Sequence, residues 1–277
     1  MKETELQNGL KIFYEPMPNT HSVTVGLYIL AGTRFENKCN TGISHLLEHL
    51  HFRQLCGMSQ EELYYEMECI GSTLRAATYY DFIKFSMKFR PRHFSRAIGI
   101  FKNILSAYDW EKSNFEQEKA VVKKQINEND ASYSEERYIR ESLFEGDSLA
   151  YGIMGTEETV SGITAADIIK FKKQIFNRNN MVLCITGCAD NKNLFEASEI
   201  LKSVEIPIGD RLKPKLGVKR LYKRKPDVVF YKDEWDFIDA EIAFDIDYRS
   251  VSIPDLKILN CILGEGVGSR LQKTVRE

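Results

Sequence analysis

Residues 42–52 read Gly-Ile-Ser-His-Leu-Leu-Glu-His-Leu-His-Phe, and the rest of the chain is organised around them. On a helix with about 3.6 residues per turn, His45 and His49 lie one turn apart on one face, with Glu48 beside them. Two imidazoles held in this way can give zinc two neutral nitrogen ligands, and the carboxylate can reach a metal-bound water as general base. The flanking leucines make the helix core-facing, so unpaired charge there would be costly. The pattern favours a metal site of the inverted His-x-x-Glu-His type over a surface helix that happens to carry these residues.

Further motifs accompany this stretch along almost the whole chain. Asn-Gly-Leu-Lys at 8–11 and Ala-Gly-Thr-Arg at 31–34 precede it, and Gly-Thr-Glu-Glu at 155–158, Ile-Thr at 163–164 and Asn-Asn-Met-Val-Leu at 179–183 follow it. Together with the histidine motif, they resemble the pitrilysin, insulinase and mitochondrial processing peptidase family. The resemblance implies a hydrolase that performs proteolysis as a metalloprotease, with one zinc ion as cofactor.

The same resemblance implies that a glutamate on a later helix, seven residues after another glutamate, is the third zinc ligand. The matching run here is Glu118 to Ile126, and Gln125 stands at the ligand position. A glutamine oxygen can coordinate zinc but carries no charge, so we expect the metal to be held more weakly. Glu118, which in the family lies beside the site and orients it, or Glu128, one turn beyond Gln125, could serve as a substitute ligand. The alternative is that zinc does not bind tightly and the histidine motif forms a hydrogen-bonded polar cluster.

The resemblance also implies where a peptide substrate binds. The strand at 72–78, which includes Arg75 and Ala76, would pair with an extended peptide as an added edge strand. Arg75 stands where the family favours asparagine, so it could select an acidic substrate or be no more than an exposed strand charge. The family further uses an arginine followed seven residues later by a tyrosine to hold substrate carbonyls. Arg276 matches the arginine, and the sequence contains no residue at the tyrosine position.

Composition limits the class of protein. The 277 residues are 43% hydrophobic, which is ample for a sizeable core, and the formal net charge is -2. This charge argues against a nucleic-acid or membrane partner. No apolar run approaches the roughly 20 residues that span a bilayer, and no charged-then-apolar signal is visible at the amino terminus, so we expect a cytoplasmic protein. The six cysteines lack Cys-x-x-Cys spacing and predict reduced, mostly buried thiols.

Hydrophobic periodicity predicts the order of the elements. Strands are expected at 10–14, 22–31, 74–89 as a pair, and 181–187, the last of them central in a sheet. Helices are expected from Gly42 onward and at 60–70, 94–108, 114–128 and 164–174. Strands and helices in this order, without regular alternation, predict an α+β fold with a mixed, mainly antiparallel sheet and helices packed on one face.

A change in composition divides the chain. Residues 202–226 contain three of the seven prolines and two glycines, as expected of an interdomain connection. We therefore predict a metallopeptidase-like domain at 1–205, a linker at 206–226 and the incomplete start of a homologous second domain at 227–277. Strands at 228–231 and 240–247, and then a segment from 253 to 270 that leads into a helix ending at 275–277, would make up this second part. About 50 residues bury too little surface to stand alone, so we expect a longer chain, or a homo- or hetero-oligomer with a related chain.

Two functions stay open from the sequence. The first is a zinc endopeptidase in which Glu48 activates the water, and the intact Glu48 favours it. The second is a catalytically weak or inactive homologue that binds peptide or pairs with an active subunit. Gln125, Arg75 and the incomplete arginine–tyrosine pair favour the second, and on balance we favour the first.

Overall fold

The computed structural model describes residues 1–107, 110–130, 135–213, 243–244, 246 and 251–276, and the side chains at 129–130, 135–136 and 275–276 lie outside this description. The chain divides into two compact units, Met1–Gly217 and Val218–Glu277.

A six-stranded sheet lies at the centre of the first unit. Its strands are β1 (Lys2–Glu5), β2 (Lys11–Pro16), β3 (Val23–Leu30), β6 (Arg75–Thr78), β7 (Phe82–Phe89) and β8 (Met181–Gly187), and a separate small hairpin joins β4 (Gln54–Leu55) to β5 (Met58–Ser59). The order is β1-β2-β8-β3-β7-β6, with β2 and β8 parallel and the other neighbours antiparallel. The predicted mixed, mainly antiparallel sheet is confirmed, and so is the central position of β8.

One face of the sheet carries the core because side chains in a strand alternate between its two faces. Buried residues recur at every second position of three of the four inner strands, β3, β7 and β8. They are Val23, Val25, Leu27 and Ile29 in β3, Ile83, Phe85, Met87 and Phe89 in β7, and Met181, Leu183 and Ile185 in β8. The helices of the first unit contribute the rest of this core.

Eight helices are described in the first unit. They are α1 (Ile43–Arg53), α2 (Gln60–Cys69), α3 (Phe94–Leu105), α4 (Lys112–Asp130), α5 (Glu135–Leu143), α6 (Glu157–Gly162), α7 (Ala165–Ile175) and α8 (Asn191–Leu201). The start of α7 follows directly from the sequence, because Thr164 and Asp167 form a reciprocal capping box. Six elements of the first unit, β1, β4, β5, α5, α6 and α8, were not predicted.

The second unit is described through α9 (Ile253–Leu263) and α10 (Arg270–Arg276). Helix α10 lies where the sequence places a helix after residue 270, but the preceding segment already contains α9, which was not predicted separately. Glycines at 264, 266 and 268 separate the two helices, and Gly266 adopts a positive φ of 108°. The strand predicted at 228–231 lies outside the described residues. So does most of the one at 240–247, whose described residues 243, 244 and 246 are not in a strand.

The predicted domain limits stay a prediction, although the first residues of the predicted linker contact the first unit. Ile206 is buried, the Asn179 amide donates to the carbonyl of Gly209 at 2.6 Å, and the Leu212 N–H donates to Asn180 Oδ1 at 2.7 Å. None of the described helices is long and apolar enough to cross a membrane.

The expectation of mostly buried thiols is wrong. All six cysteines are free, but Cys39, Cys56, Cys69 and Cys261 are exposed, and Cys184 and Cys188 are partly exposed. The exposed ones lie in loops or on outward helix positions, whereas Cys184 lies on the less covered face of β8.

Candidate metal and active site

Helix α1 carries the histidine motif and is fixed to the core by its apolar face. Leu46, Leu47 and Leu50 are fully buried, and each such side chain contributes roughly 1.5–3 kcal/mol on burial. The indole N–H of Trp110 donates to the carbonyl of Leu50 at 3.0 Å and ties the segment before α4 to α1. These contacts fix the rotation of α1 about its axis and so the direction in which His45, Glu48 and His49 point.

The first turn of α1 is capped by an acid that sequence analysis did not single out. Glu36 is 1% exposed, and its two carboxylate oxygens accept hydrogen bonds from the N–H groups of Gly42 and Ser44, each at 2.9 Å. Burial raises the pKa of Glu36, and the hydrogen bonds from Ser44 and Gly42 oppose that shift. An acid at this position satisfies N–H groups that have no partner within the helix.

A close backbone contact fixes the same end of the helix. Gly42 has a φ of 89°, and a Cβ atom on it would lie 2.3 Å from the carbonyl oxygen of Met154. Gly155, with a φ of 76°, would meet the carbonyl of Thr41 at the same distance. Only glycine fits both positions, so the loop before α6 and the start of α1 pack backbone to backbone.

The two histidines of the motif lie side by side. The ring centroids of His45 and His49 are 4.5 Å apart. Burial, and then the charge of His49, lowers the pKa of His45 to about 3, so its ring is neutral at ordinary pH. Among the residues that the structure describes, no group bonds to the buried Nδ1 atom of His45. A neutral ring with an unused nitrogen is the form in which histidine binds a metal.

Helix α4 supplies a carboxylate to the second histidine. Glu118 is 8% exposed, and its Oε1 lies 2.8 Å from Nδ1 of His49. When Nδ1 donates to this carboxylate, Nε2 keeps its lone pair, which is the usual arrangement behind a histidine ligand. Glu118 therefore contacts one of the two motif histidines directly.

The side chain of Glu48 extends from α1 toward β6, the strand at the edge of the sheet. It is 9% exposed, and both the hydroxyl and the backbone N–H of Thr78 in β6 donate to its carboxylate. Burial raises the pKa of Glu48, while the Thr78 hydrogen bonds and His49 oppose the shift. Thr78 is a second site residue that sequence analysis missed, because only the fold brings β6 to α1.

The two other predicted ligands, Gln125 and Glu128, differ in how far they are buried. Gln125 lies two turns after Glu118 on α4, and its amide oxygen is buried. Glu128 has an exposed side chain that faces Lys124 Nζ at 3.6 Å, so the structure does not bring it to the histidines. As a substitute ligand, Glu118 is better placed than Glu128.

The predicted ligands His45, His49 and Gln125 are of types that zinc accepts, but they carry one negative charge fewer than a set with glutamate at position 125. Over the described ranges, no group of three or more His, Cys, Asp and Glu side chains could hold a metal ion. Such a group cannot include position 125, because that position holds a glutamine. Two imidazoles, one of them with a carboxylate on its far nitrogen, nevertheless form half of the usual ligand set of a zinc site.

The predicted substrate contacts fall in both units. Arg75 begins β6 and is exposed, while Ala76 is half-buried and packs against the core. Arg276 ends α10 in the second unit, and its side chain is not among those described. Their roles in substrate binding stay predictions.

The fold and the histidine motif are those of one class of protein, the M16 peptidases and their homologues, and comparison with known families agrees. The family profile of insulinase (peptidase family M16) matches residues 11–157, and that of the peptidase M16 inactive domain matches residues 162–277. The chain belongs to the M16 peptidase family, as its motifs predicted.

Its relatives include both peptidases and subunits of other assemblies. The mitochondrial-processing peptidase subunit beta of Saccharomyces cerevisiae is 31% identical over 72% of this chain and 43% of its own length. The zinc protease YmxG of Bacillus subtilis is 24% identical over 100% and 67%. Subunit 1 of the mitochondrial cytochrome b-c1 complex of Bos taurus is 26% identical over 71% and 41%. The chain thus spans less than half of two of these relatives.

Solved structures support the fold. A protease from Helicobacter pylori superposes with a TM-score of 0.80 at 20% identity, covering 99% of this chain and 67% of that one. A peptidase M16 inactive domain from Pseudomonas fluorescens gives 0.79 at 15% identity with the same coverage. The fold is therefore shared by proteins described as a protease and as an inactive domain.

Proposed function

We propose that the protein is a zinc-dependent endopeptidase of the processing-peptidase type. The observation that carries the proposal is the position of Glu48, a buried carboxylate on the same helix as His45 and His49 and in contact with Thr78 of the edge strand. A general base must lie within reach of both the attacking water and the substrate. An extended peptide paired with β6 would bring its carbonyl groups toward this carboxylate.

The residues of the chain have distinct roles in this proposal. His45, His49 and Gln125 would hold zinc, which when bound supplies a Lewis acid for the peptide carbonyl. Glu48 would take a proton from the attacking water and return it to the leaving amine. Thr78 fixes the carboxylate of Glu48, and Glu118 fixes the orientation and proton position of the His49 ring.

A second proposed function is that of a weak or inactive homologue that binds peptide or pairs with a related chain. Gln125 favours it, because the loss of a full charge from the metal site weakens electrostatic binding of a dication. The similarity to a cytochrome b-c1 subunit and to an M16 inactive domain also supports it. In either proposal, we expect a homo- or hetero-oligomer with a related chain.

Peptide hydrolysis and peptide binding by the zinc-loaded protein separate the two functions. The purified chain, Glu48→Gln and the matched surface variant Glu61→Gln would be loaded with zinc, and hydrolysis of a quenched fluorescent peptide library would be followed. The peptidase proposal expects hydrolysis by the unchanged chain and by Glu61→Gln, and a loss of at least about 100-fold in Glu48→Gln, in line with removal of a general base. Equal background rates in all three, with peptide still bound, would favour the inactive homologue.

A further inference from the structure

Strand β6 ends the sheet and leaves one side open. Within the described residues it pairs only with β7, and Arg75, Ala76, Ala77 and Thr78 lie opposite Ser86, Phe85, Lys84 and Ile83. The N–H of Thr78 is directed toward Glu48, whereas that of Tyr79 bonds back to Phe82. Because backbone groups alternate along a strand, the peptide groups of Ala76 face the open side and can pair with another strand.

The two faces of β6 differ in chemistry. Thr78 contacts α1 and Ala76 packs against the core, so both lie on the helix-covered face. Arg75 and Ala77 therefore lie on the opposite face. The register places Arg75 opposite Ser86 and diagonal to Lys84 and Lys88 on that face.

One cation, Arg75, thus lies on the edge strand, and two more, Lys84 and Lys88, are its diagonal neighbours on β7. Diagonal neighbours across an antiparallel pair are about 7–8 Å apart, which is within one screening length at physiological salt. Arg75 and Lys88 are exposed, and the Nζ atom of Lys84 lies 5.7 Å from the ring centroid of Tyr28. In the part of the chain that the structure describes, none of the three forms an ion pair with an acidic side chain.

We propose that Arg75, Lys84 and Lys88 form a subsite for acidic side chains of an extended peptide that adds to β6. The proposal rests on the proposed peptide-binding function and names its substrate class, acidic peptides. Backbone pairing with β6 would supply affinity for any extended chain, and the cations would select its sequence. Alternate residues of the added strand face the cationic side, so carboxylates are favoured two residues apart.

Binding of matched peptides tests the subsite without requiring hydrolysis. Fluorescence anisotropy would compare a short extended peptide with glutamate at alternate positions, its glutamine counterpart and its lysine counterpart, on the full chain and on Glu48→Gln. We expect the glutamate peptide to bind about ten-fold more tightly than the glutamine peptide, since exposed ion pairs contribute up to about five-fold each. The lysine peptide should bind most weakly, and raising the salt from about 0.05 to about 0.5 M should reduce the differences.

Substitutions locate the effect. In Arg75→Gln/Lys88→Gln, the preference for glutamate over glutamine should fall to about two-fold or less. Lys2→Gln is the matched control, because Lys2 is an exposed lysine on β1 at the opposite edge of the same sheet, and it should keep the full preference.

The outcomes separate this subsite from the proposed peptidase activity. Selective binding of the glutamate peptide without turnover would support the subsite and contradict the peptidase. Turnover with equal binding of glutamate and glutamine peptides would overturn the subsite and leave the peptidase standing. A preference for glutamate that survives in Arg75→Gln/Lys88→Gln would also overturn it.

Discussion

At the scale of single residues, position 125 determines the charge that the proposed metal site offers. Two neutral histidines and a neutral amide leave the dication without a negative ligand, apart from the indirect effect of Glu118 through His49. Gln125→Glu adds one negative charge at the position where the family has its ligand. We predict that it raises zinc affinity at least about 10-fold and raises peptidase activity with it. Competition with a graded series of chelators measures the change.

A second substitution controls for added charge. Gln117→Glu introduces the same charge on the same helix, but at an exposed side chain that contacts Arg53. It should leave zinc affinity within about two-fold, because exposed charges are strongly screened. Equal zinc affinity of Gln125→Glu and the unchanged chain would show that another carboxylate already completes the site, and Glu118→Gln and Glu128→Gln would then identify it.

Lys172 predicts a pH dependence of stability. Its Nζ donates to the carbonyl of Ser106 at 2.9 Å and lies 5.3 and 5.0 Å from the ring centroids of Trp110 and Phe176. Burial lowers its pKa to about 7, and the neighbouring Cys56 opposes this shift. The unfolded chain keeps the proton up to a pKa of about 10.4. Between these values the unfolded state binds more protons, so stability rises with pH and is lost again as pH falls toward 7.

We predict that the free energy of unfolding rises by at least about 1 kcal/mol between pH 7 and pH 9 because of Lys172. Urea unfolding would compare the chain with Lys172→Met, which keeps the apolar contacts and removes the titrating group. The rise should be smaller in Lys172→Met. His51 also faces Lys172, but burial keeps its pKa well below 6.5, so it does not titrate in this range. Cys56→Ser tests the thiol, and identical pH profiles for the chain and Lys172→Met would contradict the prediction.

The site residues divide into those that sequence could predict and those that it could not. His45, Glu48 and His49 share one helix, so their spacing was sufficient, whereas the position of Glu118 was implied by the family resemblance alone. Glu36 acts from an irregular segment and Thr78 from an edge strand. Their roles depend on tertiary contacts that no local periodicity reveals.

At the scale of elements, the orientation of α1 depends on Glu36. Replacing it by glutamine keeps one acceptor oxygen but presents an amide N–H to one of the N–H groups of Gly42 and Ser44. We predict that Glu36→Gln lowers the free energy of unfolding by about 1–3 kcal/mol, the cost of a buried polar group left without its partner. Equilibrium unfolding in denaturant measures the loss.

Glu62→Gln is the matched control for this prediction. Glu62 also caps a helix, since its carboxylate accepts from the N–H of Ser59 at the start of α2, but it is exposed. Water can replace the lost hydrogen bond there, so its effect should be clearly smaller. Equal losses in the two variants would show that burial of the Glu36 cap does not matter.

Elements with a strong internal pattern were predicted, and those defined by their neighbours were not. Strands β3, β7 and β8 alternate buried and less buried residues, so their pattern identified them. Strand β1 has the sequence Lys-Glu-Thr-Glu and forms only because it pairs with β2. Charged residues are common on edge strands because they discourage pairing with other chains. Helix α8 is an exception, because it was not predicted although Asp190 and Asn193 form a capping box at its start.

At the scale of the whole molecule, the described part of the second unit exposes an apolar helix. In α9, Ile253 is 66% exposed, Ile258 60%, and Leu259 and Ile262 47% each. Contiguous apolar side chains of this kind are characteristic of surfaces that other chains cover. The exposure agrees with the proposed association with a second or related chain.

We therefore predict that the chain forms a dimer or larger assembly in solution and that Ile258→Glu/Ile262→Glu weakens it. These two residues lie one turn apart on the same face of α9, and loss of two isoleucines that the assembly would bury should weaken association by about 100-fold or more. Light scattering over a range of protein concentrations measures the mass. Lys257→Glu is the control, because it places the same charge on the neighbouring position of the helix, and it should leave the mass unchanged. A stable monomer with full peptidase activity would contradict the account, because α9 would then remain exposed in a working enzyme.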